Sequence, residues 1–160
     1  MSKELFLTCS RKLSRHFALA EFLGGVVVYA SQPTQIAASA HAVLACGRKP
    51  SALKAEQLAN QLALPVLHLE DGFIHSLGQG VLGASSFSLV IDQLGIYYDA
   101  SQASDLEVLL AEDPAKRLND QTLLARAQQL IQAITSQKIS KYNNAPLELG
   151  HLNLPAGKKI

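Results

Sequence analysis

Short apolar runs alternate along this 160-residue chain with longer amphipathic segments, and no other feature constrains the fold as strongly. The runs that read as buried strands are Leu5–Thr8, Val26–Tyr29, Ala42–Cys46 and Val66–Leu69. Strands that alternate with helical segments are typical of βα units around a parallel sheet. We therefore predict an α/β fold with an open parallel sheet flanked by helices.

The segments between these strands carry helix signals. Ser10 can cap a first helix, which should end at Gly24. After the third strand, Leu53, Leu58 and Leu62 follow at helical spacing. Between the second and third strands, Ser31-Gln32-Pro33 predicts only a short helix, with proline at an early helical position.

The overall charge disfavours partners that are bound through bulk electrostatics. Lys and Arg total 14 against 13 acids, so the formal charge is +1. Nucleic acid is therefore not an expected partner. The N-terminal residues lack the long apolar stretch of a signal peptide, and Cys9 and Cys46 are too few for a disulfide framework. We expect a cytoplasmic protein in which both cysteines act as small apolar residues.

Two adjacent acids and a glycine, Glu70-Asp71-Gly72, come where the fourth strand should end. Adjacent like charges cost stability in a protein core, so their presence suggests a functional site. Because side chains alternate across a strand, one acid should face a cleft and the other should fix the loop, unless the backbone turns at Gly72. The alternative is structural, with both acids bonded to backbone N–H groups or to Arg48.

A basic turn, Gly47-Arg48-Lys49-Pro50-Ser51, follows the third strand. Two cations where a helix begins are well placed to bind an anion, although a solvated turn would have the same sequence. The carboxyl ends of parallel strands lie along one edge of a sheet, where ligands bind. The basic turn and the acids should therefore share that edge.

The glycines of Gly78–Gly83 match G-x-G-x-x-G, but no strand directly precedes them and no helix follows. We interpret them as a loop that passes close to a ligand or to other backbone, and we predict no dinucleotide site and no metal site. His75 lies in the same loop. It is either a proton donor or anion contact, or an ordinary polar loop residue.

Two further apolar runs, Ser88–Asp92 and Gly95–Tyr98, predict two strands joined by a turn, or one strand and an extended edge. The tip Tyr97-Tyr98-Asp99 could stack its rings on a sugar or a base, or pack them in the core.

The C-terminal third predicts two helices and a linker. Ser104 and Glu107 form a capping box, and a longer helix begins near Asn119 or Asp120. Its apolar stripe, which we expect to be buried, comprises Leu123, Leu124, Ala127, Leu130, Ile131 and Ile134. We predict one lobe over residues 1–137, then a linker and the start of a second, absent lobe over residues 138–160. The chain therefore reads as a fragment.

Four blocks of the sequence resemble the capsule polysaccharide β-Kdo transferases. These blocks are Cys46–Ser51, Leu69–Gly78, Ser88–Asp92 with Gly95–Ala100, and Ser140–Asn143. The resemblance implies a Rossmann-like fold corresponding to the N-terminal lobe of one GT-B-like glycosyltransferase module. It also implies transfer of Kdo (3-deoxy-D-manno-octulosonic acid) from CMP-Kdo, with retention, onto a lipid-linked Kdo acceptor in capsule polysaccharide biosynthesis and export.

The resemblance also implies roles for particular residues. The acid-acid-Gly motif falls on Glu70 and Asp71, so these are the candidate catalytic acids. The candidate substrate-binding residues are Arg48, Lys49, Ser51, Gly72, His75, Ser76, Tyr97, Tyr98 and Asp99. No cofactor is expected, because CMP-Kdo is a substrate and should bind mainly to the missing lobe.

The chain departs from the family pattern at several positions. His75 stands where the family has Arg, Gln79-Gly80 where it has Leu-Gly, and Ser85–Phe87 where it has Pro-Pro-Leu. The change at position 75 should weaken anion binding, since histidine is mostly neutral at pH 7. The family's nucleotide-binding His-Pro motif and aspartate nucleophile are also missing, so we expect the isolated chain to be inactive.

The resemblance implies a nucleotide-sugar donor, a glycolipid acceptor and a missing lobe or second module as partners. It further implies that the protein, which we expect in the cytoplasm, contacts the inner membrane peripherally. Two alternatives stay open, namely a non-catalytic module that binds acidic glycans and a truncated remnant that binds nothing.

Overall fold

The computed structural model describes residues 3–16, 18–34, 37–76 and 88–141. The chain forms two compact units, one within Met1–Asp71 and Leu89–Asp113 and the other within Gly72–Ser88 and Pro114–Ile160. The division of the sequence at residue 137 stays a prediction.

The first unit is built on a five-stranded sheet with the order β2-β1-β3-β4-β5. Its strands are β1 (Glu4–Thr8), β2 (Gly25–Tyr29), β3 (Ala42–Cys46), β4 (Val66–Asp71) and β5 (Leu89–Asp92). The first four are parallel, and β5 runs antiparallel to β4. The predicted α/β fold is confirmed, with a mixed rather than wholly parallel sheet.

The described helices are α1 (Arg11–Ser14), α2 (Leu19–Leu23), α3 (Pro50–Leu62), α4 (Asp105–Ala111), α5 (Ala115–Leu118) and α6 (Gln121–Ser136). The predicted first helix is two short helices. Ser10 caps α1 by accepting a hydrogen bond from the Leu13 amide, and Gly24 ends α2 with a φ of 67°. A 3₁₀ turn at Ala37–Ser39 precedes β3.

Alternate residues of the central strand β3 pack into two apolar clusters. Val43 and Ala45 join a cluster with the buried face of α3, which presents the small residues Ala52, Ala55 and Ala59. Ala42 and Leu44 join the other cluster, with Phe6, Leu19 and Leu69. Small side chains on α3 allow close approach to the sheet, which fixes the turn between β3 and α3 at the sheet edge.

The two acids lie inside β4, where the sequence predicted that the strand had already ended. Glu70 pairs with Val90 and Asp71 with Leu89 across the antiparallel ladder. The ladder with β5 provides hydrogen-bond partners for the backbone at Glu70 and Asp71, so the strand continues past Leu69.

The predicted strand Gly95–Tyr98 is a turn, in which the Asp99 amide donates to the Ile96 carbonyl at 2.8 Å. Buried Asp92 explains the change of direction after β5. Its Oδ1 accepts hydrogen bonds from the amides of Leu94 at 2.9 Å and Gly95 at 2.8 Å. These bonds redirect the backbone before a second strand can form.

The capping box of α4 is confirmed, since Ser104 and Glu107 each bond the other's backbone amide. In the second unit Asp120 caps α6, as predicted. The expectation of a buried stripe on α6 is wrong. Leu130 and Ile131 are about three-fifths exposed, at 59% and 61%. Apolar spacing indicates which face of a helix is apolar but not what covers it.

Candidate functional site

Glu70 meets the tip of the Tyr97–Asp99 turn at the carboxyl end of β4. The Tyr98 hydroxyl donates a hydrogen bond to Glu70 Oε1 at 3.2 Å. Gly47, directly after β3, makes room for this contact. A Cβ at that position would lie 2.8 Å from Glu70 Oε1 and 3.2 Å from the Tyr98 hydroxyl, and Gly47 has a φ of 56°, which favours glycine.

Asp71 follows Glu70 in the strand, so the two side chains leave opposite faces of the sheet. Both residues are half-buried. Within the first unit, therefore, Glu70 is the acid that Tyr98 contacts.

Arg48 is paired with two carboxylates. Its Nε donates to Asp99 Oδ2 at 2.7 Å, its Nη2 donates to the same oxygen, and its Nη1 lies 3.5 Å from Glu56 Oε1. Lys49 is exposed at the N-cap of α3, and Ser51 lies half-buried in the first turn of that helix. The structure thus brings the basic turn and Glu70 together, as the sequence predicted, but the Arg48 charge already has partners.

Asp99 is held from two sides. Its Oδ1 accepts hydrogen bonds from the Ser101 hydroxyl at 2.6 Å and from the Ser101 amide at 3.0 Å. These bonds, together with the Arg48 guanidinium, lower the pKa of the Asp99 carboxyl to about 2. The carboxylate is therefore ionised at every physiological pH.

The two tyrosines of the turn pack edge to face, with ring centroids 5.4 Å apart. Tyr98 is 52% exposed. Partial burial raises the pKa of the Tyr98 phenol, and the adjacent Glu70 carboxylate raises it further. The Tyr98 hydroxyl is accordingly a hydrogen-bond donor at neutral pH.

Sequence reasoning missed three residues around this site. Glu56 is the second carboxylate that Arg48 contacts, and the Ser101 hydroxyl donates a hydrogen bond to Asp99. Cys46 ends β3 beside Gly47, and burial raises the pKa of its thiol. The sequence Asp99-Ala100-Ser101 is a signal that could have revealed Ser101, because aspartate side chains often accept from the amide two residues on.

Three of the predicted substrate-binding residues belong to the second unit. The Gly72 amide donates to the Ser88 carbonyl at 3.0 Å. His75 and Ser76 are buried, with His75 Nδ1 2.6 Å from Ser76 Oγ, and both amides donate to the Lys141 carbonyl, at 2.9 and 3.2 Å. The contact with Lys141 joins two of the sequence blocks that suggested the family.

Some positions singled out in the sequence lie outside the described residues. They are the glycines of Gly78–Gly83, the departures at Gln79-Gly80 and Ser85–Phe87, and Tyr142-Asn143.

Across residues 3–16, 18–34, 37–76 and 88–141, no group of three or more His, Cys, Asp or Glu side chains is arranged to hold a metal ion. In the same ranges, none of the helices combines the length and apolarity that crossing a membrane requires.

A mostly parallel sheet with helices on both faces, and an acid at the carboxyl end of an inner strand, defines an α/β protein of Rossmann-like organisation. Residues 41–155 match the model of the capsule polysaccharide biosynthesis protein family. The chain belongs to that family, which confirms the resemblance seen in the sequence blocks.

Named relatives agree with this assignment. The capsule polysaccharide modification proteins LipA of Neisseria meningitidis serogroups B and A are 44% and 43% identical over 107 residues, which is 67% of this chain and 15% of each relative. The lipopolysaccharide-processing protein LpsZ of Rhizobium meliloti is 36% identical over 89 residues, or 56% of this chain and 20% of LpsZ. The chain thus spans a fifth or less of the length of these relatives.

A solved structure supports the fold. The chain is similar to Thermosulfurimonas dismutans KpsC, a beta Kdo 2,4 transferase, with a TM-score of 0.74 and 36% identity. The match covers 94% of this chain and 46% of the KpsC chain.

Proposed function

We propose that the chain is the acceptor-side lobe of a glycosyltransferase that transfers Kdo from CMP-Kdo to a lipid-linked Kdo acceptor, with retention, in capsule polysaccharide biosynthesis. Support comes from membership of the capsule family and from the likeness to KpsC. The observation that carries the proposal is the Glu70 carboxylate, held by the Tyr98 hydroxyl at the carboxyl edge of the sheet beside a basic turn.

In this proposal Glu70 is the general base. With retention, the Kdo anomeric carbon would first pass from CMP to the aspartate nucleophile that the resemblance places outside this chain, with CMP as the leaving group. The acceptor hydroxyl would then lose its proton to the Glu70 carboxylate as its oxygen bonds to that carbon, on the face that CMP had occupied, and displaces the aspartate. The Glu70 carboxylate accepts hydrogen bonds from the Tyr98 hydroxyl and from the Asp71 amide, so it is oriented for this step and keeps further lone pairs for the acceptor. Asp71, which leaves the opposite face of the strand, would support the loop that follows it.

Seven of the nine predicted substrate-binding residues keep their proposed roles as substrate contacts. Lys49 and Ser51 would meet a carboxylate or phosphate of the acidic glycan, and Tyr97 and Tyr98 would lie against a sugar ring. Gly72, His75 and Ser76 belong to the second unit, and for them the substrate-binding role is the one that the resemblance implies. We also propose that the protein contacts the inner membrane peripherally and that the reaction takes place at the inner face of that membrane.

A chimera tests this function. The segment of KpsC that corresponds to this chain is replaced by the chain, and product formation from CMP-Kdo and a Kdo-terminated acceptor is measured by mass spectrometry. We expect turnover from the chimera and none from the chain alone. Glu70→Gln should reduce kcat of the chimera by about 10²- to 10⁴-fold, since general base catalysis contributes that much.

Glu21→Gln is the matched control, because Glu21 is exposed on α2 and the same change there should leave kcat unaltered. A chimera that turns over equally well with Glu70→Gln would contradict the assignment of Glu70. Acceptor binding without transfer, unaffected by Glu70→Gln or Asp71→Asn, would instead identify a non-catalytic module that binds acidic glycans.

A further inference from the structure

Arg48 links three parts of the first unit. It follows β3, it contacts Glu56 on α3, and it forms a two-pronged ion pair with Asp99, which lies 51 residues further along the chain. Two N–H donors of Arg48 converge on Asp99 Oδ2, and together they restrict its direction more than a single donor would. The turn that carries Asp99 is therefore fastened to the start of α3.

Tyr98 directly precedes Asp99 in this turn. Its side chain is 52% exposed, and its hydroxyl nevertheless reaches Glu70 Oε1 at 3.2 Å. An exposed tyrosine on an unanchored turn would lose this contact through backbone motion. We infer that Arg48 and Asp99 are positioning residues, and that their ion pair holds the Tyr98 hydroxyl against Glu70. The inference rests on the proposed role of Glu70 in glycosyl transfer.

Arg48 and Asp99 thus hold the turn in place, whereas the sequence resemblance assigned them to substrate binding. The charge of Arg48 is balanced by Asp99 and Glu56 within the first unit. A substrate anion would have to displace an established pair to reach it, whereas Lys49 is exposed beside it. Lys49 is therefore the residue of the basic turn that is placed to bind a substrate anion.

The pKa of the Tyr98 phenol shows whether the contact with Glu70 is present, and no substrate is needed to measure it. The groups that act on its pKa are Glu70 on β4 and Cys46 at the end of β3, which raise it, and Arg48, which lowers it, in addition to burial. If the turn moves away from Glu70, the pKa of Tyr98 falls toward the ordinary value for tyrosine. Absorbance titration measures the phenolate, and the difference from Tyr98→Phe isolates Tyr98 from the chain's other tyrosines.

The informative variant is Arg48→Lys, because lysine keeps the positive charge but lacks the two-pronged geometry. We expect Arg48→Lys and Asp99→Ala each to lower the pKa of Tyr98. In a Glu70→Gln background, Arg48→Lys should cause a smaller fall, since only the contribution of burial to the Tyr98 pKa is then left to lose. Arg11→Lys is the matched control, because the Arg11 guanidinium lies over the Tyr29 ring, and this change should leave Tyr98 unaltered.

Circular dichroism shows that each variant is folded before it is titrated. An unchanged Tyr98 pKa in folded Arg48→Lys, with a fall in Glu70→Gln, would overturn the positioning role. No fall in Glu70→Gln would overturn the contact itself. Neither result depends on transfer activity, so each is distinguishable from failure of the proposed function.

Kinetics of the KpsC chimera give a second readout. A positioning residue should lower kcat and leave KM little changed, and loss of one hydrogen bond to a charged group corresponds to about a 10- to 100-fold fall. A rise in KM at constant kcat for Arg48→Lys would show instead that Arg48 binds the substrate directly, and would overturn the inference.

Discussion

Asp99 is stabilised as a carboxylate mainly by Ser101 and to a smaller extent by Arg48, and these contacts lower its pKa to about 2. The hydroxyl and amide of Ser101 bond one oxygen, while Arg48 bonds the other. A carboxyl whose pKa is lowered on folding stabilises the fold above its unfolded pKa of about 3.9 and loses that effect as the pH falls toward 2. The turn at the site should therefore stay fixed at neutral and mildly acidic pH.

Ser101→Ala tests this arrangement. It removes the hydroxyl bond, which is the largest cause of the lowered pKa, so the pKa of Asp99 should rise toward its ordinary value. Side-chain carboxyl NMR signals followed between pH 1.5 and 5 measure the change. Ser14→Ala is the control, because the Ser14 hydroxyl donates to the Arg11 carbonyl on α1 and should not affect Asp99. A rise of equal size in both variants would disprove the local origin of the effect.

At the scale of the element, α3 carries the basic turn at its start and a strained residue at its end. Ala63, the C-cap, has a φ of 54°, in the left-handed region where glycine is favoured. Its amide donates to the carbonyls of Ala59 and Asn60. The hydrogen bonds of the cap thus require a conformation that alanine adopts at a cost.

We expect Ala63→Gly to stabilise the chain by about 0.5–1 kcal/mol, because it relieves this strain. The free energy of unfolding, obtained by urea titration with circular dichroism, measures the effect. Ala59→Gly makes the same chemical change in the interior of α3, where Ala59 is fully buried, and should destabilise by about 1 kcal/mol or more. The same sign for both substitutions would contradict the strain at Ala63.

At the scale of the whole molecule, His68 couples stability to pH. It lies in β4 with 7% of its surface exposed, and its Nδ1 is buried without a hydrogen-bond partner among the described residues. Burial lowers the pKa of His68, so folding favours the neutral ring. The unfolded chain then binds more protons below about pH 6.5, and stability must fall as the pH is lowered through that value.

His68→Leu removes this linkage, since leucine has no proton to gain. We expect the wild-type fall in the urea midpoint between pH 7 and 5.5 to be smaller in this variant. His41→Gln serves as the control, because His41 is exposed beside Glu4 and its loss should leave the fall largely intact. If His68→Leu keeps the full wild-type pH dependence, another group is responsible.

The sequence by itself determined the features that depend on near neighbours along the chain. Strand β3 begins and ends at the predicted residues, and Ser10, Ser104 and Asp120 cap the helices where they were expected to. Cap hydrogen bonds and strand periodicity involve residues a few positions apart, so a local pattern is sufficient to predict them.

Only the tertiary structure decided the features that depend on distant residues. Pairing with β5 extended β4 through both acids, and the bonds of Asp92 turned the backbone so that Tyr98 meets Glu70. The partner of Arg48 lies 51 residues away, and no local pattern encodes a contact of that separation. Alternation therefore predicted the sheet and the edge that the acids share with the basic turn, whereas long-range packing determined which of the two acids faces the tyrosine.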